Sequence, residues 1–143
     1  MILLAVLLLG AAAVPIPACA QNAWPNYELS KAWHALERIK RAYHAQELEI
    51  LRSSISKEAL FDRFTLENHL SDTFREYSLI YLRFVVRRPP KLENHQAVFK
   101  VLWTKKMREN ATGRDIYTEG ETQLTFDVLM KPQLIKIEGN TPF

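Results

Sequence analysis

Ala97-Val98-Phe99-Lys100-Val101-Leu102-Trp103-Thr104 decides how this chain is read, because every odd-numbered position in it is apolar while Lys100 and Thr104 fall on even ones. Ala97, Phe99, Val101 and Trp103 form the inner face of a strand, while Lys100, Thr104, Lys106 and Arg108 face the other way. Such alternation belongs to an antiparallel sheet packed on one side and wet on the other. A second run answers it, with Thr122, Leu124, Phe126 and Val128 alternating with Glu119, Glu121, Gln123 and Asp127. A one-residue slip would set apolar side chains opposite polar ones, so parity restricts the pairing. With Glu109 to Asp115 as the connecting loop, Phe99 is expected opposite Phe126, Val101 opposite Leu124, Lys106 opposite Glu119 and Thr104 opposite Glu121. A turn at Met130, Lys131 and Pro132 then sets Val128 beside Ile135, Phe126 beside Ile137 and Asp127 beside Lys136. Upstream, Ile80, Leu82, Phe84 and Val86 share one face of a strand that Pro89 and Pro90 end, since proline cannot donate to a ladder.

Before Ser78 the spacing is helical. Leu29, Trp33, Leu36, Ile39 and Tyr43 recur at three and four residues, with charged residues between them and Ser30 as the expected cap. Leu48, Leu51 and Ile55 continue the stripe beyond a break at Ala45 or Gln46, and Ser53, Ser54 and Ser56 stop it. A further helical stretch is expected to bury Leu60, Phe61, Phe64, Leu70, Phe74 and Tyr77, with Thr65 and Asn68 marking a bend. Helices followed by an antiparallel meander of four or more strands predict an α+β fold, with the helices on one face of the sheet.

Met1 to Ala20 carries no charge, and its apolar run from Ile2 to Val14 is followed by Pro15, Pro17 and small residues. This is the pattern of a secretory signal peptide, and the run is too short to span a bilayer. Residues 1–20 are therefore expected to be removed, leaving 21–143 as a single domain in the periplasm or secreted. Two cleavages compete. Ala18-Cys19-Ala20 before Gln21 suits a peptidase that reads small residues and releases a soluble chain. Ile16-Pro17-Ala18-Cys19 instead resembles a bacterial lipobox, with the signal ending at residue 18 and Cys19 lipidated as a membrane anchor. The intact small-residue site favours the first. No Lys or Arg precedes the apolar run, so a start codon upstream of Met1 stays open. Cys19 is the sole cysteine, so the mature domain has no disulfide and must be held by packing.

Several segments are similar to the nuclear-transport-factor-2-like superfamily, which also houses ketosteroid isomerase, scytalone dehydratase and limonene epoxide hydrolase. Ala42-Tyr43-His44-Ala45-Gln46-Glu47-Leu48-Glu49-Ile50-Leu51 resembles its junction between first and second helices. Trp103 to Arg108, the turn Ala111-Thr112-Gly113, and Leu134-Ile135-Lys136-Ile137-Glu138-Gly139-Asn140 resemble the last three strands of exported bacterial members. These are packing and turn residues, so they speak to fold rather than function. The resemblance implies a curved sheet closed into a cone by the helices, with a pocket lined here by Trp33, Tyr43, Phe64, Phe74, Phe99 and Trp103. It also implies that an enzyme of this type would hold a carboxylate or histidine in the cone, where desolvation makes it a useful base.

By parity Asp127, Glu119 and Glu121 face outward, and Asp115 is expected in a loop. Asp62, His69 and Asp72 remain as catalytic candidates, with Tyr43 or Tyr81 as hydrogen-bond donor, although a solvated helix pair explains His69 and Asp72 better. No metal or other cofactor is expected: His34 and His44 are turned about 80° apart on a helix, and no HExxH or paired-cysteine spacing occurs. The formal charge of +3, from 19 basic and 16 acidic residues, demands no acidic partner, and an exported chain is not expected to bind nucleic acid. Arg87, Arg88 and Lys91, and again Lys105, Lys106 and Arg108, read as strand ends and an exposed sheet face guarded against edge pairing. Asn110-Ala111-Thr112 fits a glycosylation sequon, for which a turn is sufficient explanation. The expected function is a non-catalytic envelope module that binds a protein partner or a small apolar ligand, or pairs with a second copy through the sheet. The alternatives are a cofactor-independent isomerase, dehydratase or hydrolase, and a structural lipoprotein anchored at Cys19.

Overall fold

Asn26 starts the first helix. In the computed structural model, which describes residues 26–143, its side-chain oxygen accepts from the backbone N–H groups of Glu28 (2.7 Å) and Leu29 (3.4 Å). Two donors that a helix start leaves free are thereby satisfied. Helix α1, Tyr27–Ala45, therefore begins earlier than expected, and Ser30 lies inside it, donating its N–H to the Asn26 carbonyl. At the far end Gln46 adopts the left-handed region (φ 59°) and returns its N–H to the helix, so the break falls where the sequence placed it. Helix α2, Leu48–Ser54, follows at once. The leader, both cleavage sites and Cys19 lie outside the described residues.

Asp62 caps the third helix, α3 (Arg63–Glu76), accepting the Thr65 N–H at 3.1 Å and its hydroxyl at 2.6 Å. Thr65 thus closes the helix start rather than bending its middle, and α3 is continuous. Leu66, Leu70 and Phe74 take the inward stripe, which leaves Phe64 turned about 120° away from it. As a consequence Phe64 is 73% exposed, and Leu60, in the loop before α3, is 72% exposed; neither is buried as expected. Tyr77 is no helix residue at all: it opens strand β1.

The sheet has five strands, β1 (Tyr77–Val86), β2 (Lys91–Glu93), β3 (Gln96–Glu109), β4 (Asp115–Asp127) and β5 (Gln133–Gly139), all pairing antiparallel in the order β1-β3-β4-β5. The short β2 pairs with the start of β3 through a turn in which Asn94 and His95 both take positive φ (49° and 60°), the geometry of a tight hairpin. The fold is α+β, three helices preceding a curved, open sheet whose inner face they cover. Ala97, Phe99, Val101, Leu124, Phe126 and Val128 are fully buried there against Ala32, Leu36 and Ile39 of α1, Leu51 of α2 and Leu70 of α3. Each large apolar side chain so buried stabilises the fold by about 1.5–3 kcal/mol.

Parity between β3 and β4 is as the alternation requires, but the register is two residues tighter. Arg108 pairs directly with Asp115, so Phe99 faces Leu124, Val101 faces Thr122, Thr104 faces Glu119 and Lys106 faces Tyr117. Asp115 is therefore a strand residue, not a loop residue. The loop closes through Glu109 N–H to the Arg114 carbonyl (2.9 Å) and Gly113 N–H to the Glu109 carbonyl (2.8 Å), with Gly113 at φ 72°. Asn110 ties this loop to the α3–β1 junction, donating to the Arg75 carbonyl (3.1 Å) and accepting from the Ser78 hydroxyl (2.7 Å).

Two irregularities depart from simple alternation. A bulge between Leu79 and Tyr81 turns Ile80 outward, so the inward residues of β1 are Leu79, Leu82, Phe84 and Val86. A second, between Thr125 and Phe126, sets Phe126 opposite Leu134 and Thr125 opposite Lys136, replacing the expected pairs Phe126–Ile137, Val128–Ile135 and Asp127–Lys136. The loop after α2 runs along β5 as well, bridging Ile55 to Leu134, with Leu60 N–H donating to the Ile135 carbonyl at 2.7 Å.

Candidate functional site

Two further steps of the β3 alternation beyond Trp103 bring Lys105 and Met107 to the inner face. Lys105 is only 8% exposed, so it does not belong to the exterior basic cluster expected of Lys105, Lys106 and Arg108. Its ammonium donates to the Pro142 carbonyl at 2.7 Å and to the Tyr43 hydroxyl at 3.2 Å. It also stands 5.4 Å from the Tyr43 ring centroid and 5.7 Å from that of Trp103. Burial pushes the Lys105 amine down to about 8 and the Tyr43 phenol up to about 12, because each charged form is poorly solvated here.

Residues 140–143 fill this end of the cone. Trp103 Nε1 donates to the Asn140 carbonyl at 2.8 Å, and Phe143, buried, lies 5.6 Å from the Tyr43 ring and 6.3 Å from that of Phe84. Phe74 meets Tyr43 edge-on at 5.3 Å. The Trp103 indole lies over Gly120, where an added Cβ would meet its Cζ2 at 2.8 Å and the Asn140 Cβ at 3.0 Å. Nothing but hydrogen fits at that position of β4.

Outside Phe143 runs an open groove of about 400 Å³ lined by Phe61, Asp62, Leu66, His69, Ile137 and Phe143. Phe143 is thus the side chain shared by the groove and the buried Lys105–Tyr43 pair. Asp62 and His69 both reach the groove, but both are exposed. The Asp62 carboxyl is held below its usual range by hydrogen bonds from Thr65, consistent with a cap. Asp72 does not join them, pairing with Arg75 at 2.8 Å instead of His69. Of the residues expected to line the pocket, Tyr43, Phe74 and Trp103 gather around Phe143 and Lys105. Trp33 packs against the core with its ring centroid 6.1 Å from that of Phe99 and tilted at 46° to it, and Phe64 lies outside in solvent.

Lys105 is the sole buried ionisable side chain of the cone besides the Tyr43 phenol, among the described residues, and no carboxylate is buried with it. No group of three or more His, Cys, Asp or Glu side chains is placed to hold a metal among those residues. Asp115 points outward, bound by Lys106 at 2.7 Å and Arg108 at 2.8 Å, whose hydrogen bonds hold its carboxyl down to about 2. The one signal that could have revealed Lys105 was the alternation of β3 itself, carried through a basic run.

No protein-family model matches the chain, and no curated protein matches it. Solved structures do. A conserved protein from Planctomyces limnophilus is similar at a TM-score of 0.68 and 10% identity, over 78% of this chain and 96% of that one. A ketosteroid isomerase-like protein from Erwinia carotovora atroseptica is similar at 0.63 and 9% identity, over 82% and 99%. A nuclear transport factor 2-like superfamily protein from Salmonella enterica matches at 0.63 and 12% identity, over 81% and 92%. The chain therefore has the nuclear-transport-factor-2-like cone fold, an architecture compatible with catalysis and with binding alike.

Proposed function

We propose that this protein is an exported, non-catalytic binding module whose ligand enters the cone by displacing Thr141-Pro142-Phe143. The observation that carries the reading is the buried Lys105 ammonium satisfied by a main-chain carbonyl, Pro142 O at 2.7 Å, rather than by a carboxylate. A ligand that replaces the Phe143 ring with an apolar body and the Pro142 carbonyl with its own oxygen would leave no buried donor orphaned. Its class is a small apolar molecule bearing a carboxylate or carbonyl group. Leader removal, the premise of export, is read by mass spectrometry of the mature N-terminus, where Gln21 marks a soluble chain and a lipidated Cys19 an anchored one.

The binding test uses 1-naphthoate as probe, followed by fluorescence on the full chain. Phe143→Ala is expected to bind it at least about tenfold more tightly than the unaltered protein, because the occupant of the site has been weakened. Lys105→Met in the same background should reverse most of that gain. Equal weak binding by all three proteins would end the proposal.

One observation favours a second reading. An amine brought down to about 8 beside Tyr43 is a better placed base than Asp62, His69 or Asp72, all solvated. An isomerase working through Lys105 would exchange the proton α to a bound ketone for deuterium. Exchange catalysed by Phe143→Ala and lost when Lys105→Met is added would replace binding by catalysis.

A further inference from the structure

Lys31, His34, Arg38 and Arg41 recur along α1 at the three- and four-residue spacing that puts side chains on one helix face. The turn after β4 is drawn against this face because the Lys31 ammonium donates to the carbonyls of Val128 (3.3 Å) and Met130 (3.2 Å), which brings Lys131 alongside. Between them lies an open groove of about 330 Å³ lined chiefly by Lys31, His34, Arg38, Arg41, Lys131 and Pro132. Among the described residues no carboxylate lines it. Among the described residues none of these four Lys and Arg side chains is ion-paired, although neighbouring cations are: Lys40 with Glu37, Arg52 with Glu49 and Glu67, Lys136 with Glu138.

Arg38 is held by a neutral group. Its guanidinium donates to the Ser54 hydroxyl at 3.0 Å, the hydroxyl in turn donates to the Ile50 carbonyl at 2.7 Å, and the Arg38 Nε–H is buried without an acceptor among the described residues. The side chain is fixed while its charge stays uncompensated. Four such cations converging on one concave surface raise the local potential for a compact polyanion, which accepts the forked donors of two arginines together with the point charge of a lysine.

We infer that this groove binds a phosphate group, either as free phosphate or as the headgroup of an anionic phospholipid. The site shares no residue with the cone or its mouth, so it stands whether or not the cone binds a ligand.

Isothermal titration of the full chain with inorganic phosphate, beside cosedimentation with phosphatidylcholine vesicles containing about one fifth phosphatidylglycerol, tests it. Arg41 and Lys131 are exposed and make no side-chain hydrogen bond among the described residues, so the double variant Arg41→Gln/Lys131→Gln is expected to keep the fold. It should weaken the binding of whichever probe associates by at least about tenfold. Arg87→Gln/Arg88→Gln removes the same net charge beyond β1 and should leave it within about twofold. Vesicle binding competed by phosphate identifies a headgroup site; phosphate binding without vesicle association identifies a free-ion site. No saturable binding of either probe, or equal losses in both double variants, overturns the inference.

Discussion

Helix α3 and strand β3 both border the cone and both carry ionisable side chains, yet they supply opposite environments. Asp62, His69 and Asp72 on and beside α3 stay in water, engaged as a cap, a groove rim and a surface ion pair. Lys105 on β3 is taken out of water, along with the Tyr43 hydroxyl that it touches. Residue type does not confer chemistry by itself: burial disfavours the charged forms of Lys105 and Tyr43, whereas hydrogen bonds from Thr65 favour the charged form of the solvated Asp62 carboxyl. In this fold the sheet supplies that burial, because the helices and residues 140–143 all press on its inner face.

The largest blow to the contrast is Trp103→Ala. It removes the indole over Gly120, frees the Asn140 carbonyl and opens the Lys105 site to water, and it should cost about 3–5 kcal/mol in chemical denaturation. Hydrogen exchange at residues 140–143 should rise with it. Retained protection there would mean that this segment is held independently of the sheet.

Alkaline titration tests the next effect. Below pH 8 the Lys105 amine is charged in folded and unfolded chains, and the folded state bears its desolvation. Between about 8 and its ordinary 10.5 the unfolded chain holds more protons on this group, so stability rises with pH, by about 3 kcal/mol over the interval. Tyr43 acts in the opposite sense above its ordinary 10.0, since the unfolded phenol ionises before the buried one at about 12. Urea midpoints should therefore climb to a maximum near pH 10 and then fall. Lys105→Met should abolish the climb and keep the fall; a climb that survives in the variant belongs to another group.

The smallest effects fall on α3. Asp62→Ala should cost about 1 kcal/mol through the lost cap, whereas His69→Ala should stay within about 0.5 kcal/mol. A thermal shift larger for His69→Ala than for Asp62→Ala would show that His69 holds the fold more firmly than the Asp62 cap does.

The alternation of β3 and β4 made the fold legible, because each inward residue from Ala97 to Trp103 had to match one on its partner. Parity is blind to slips of two and to bulges, which preserve or locally reset it. For that reason the tighter Arg108–Asp115 loop, the outward Ile80 and the pairing of Phe126 with Leu134 were not legible. The cap at Asn26 lay outside the apolar stripe that defined α1, and an Asp62 cap was hidden by treating Phe61 and Phe64 as one face. As for the site, Tyr43 and Trp103 announced themselves by spacing. Lys105 did not, because a basic residue amid Lys106 and Arg108 reads as surface unless the strand's period is allowed to overrule its charge. The seating of Phe143 depends on the chain returning past β5, a tertiary event without a local pattern.

Gly120 has a consequence beyond fit. Because its hydrogen touches the indole that holds Asn140, a central strand, an aromatic lever and the segment closing the cone form one linkage. A single methyl at Gly120 would be felt at Phe143, without contacting it. The seating of the closing segment is thus set from the neighbouring strand by a side chain that is not there.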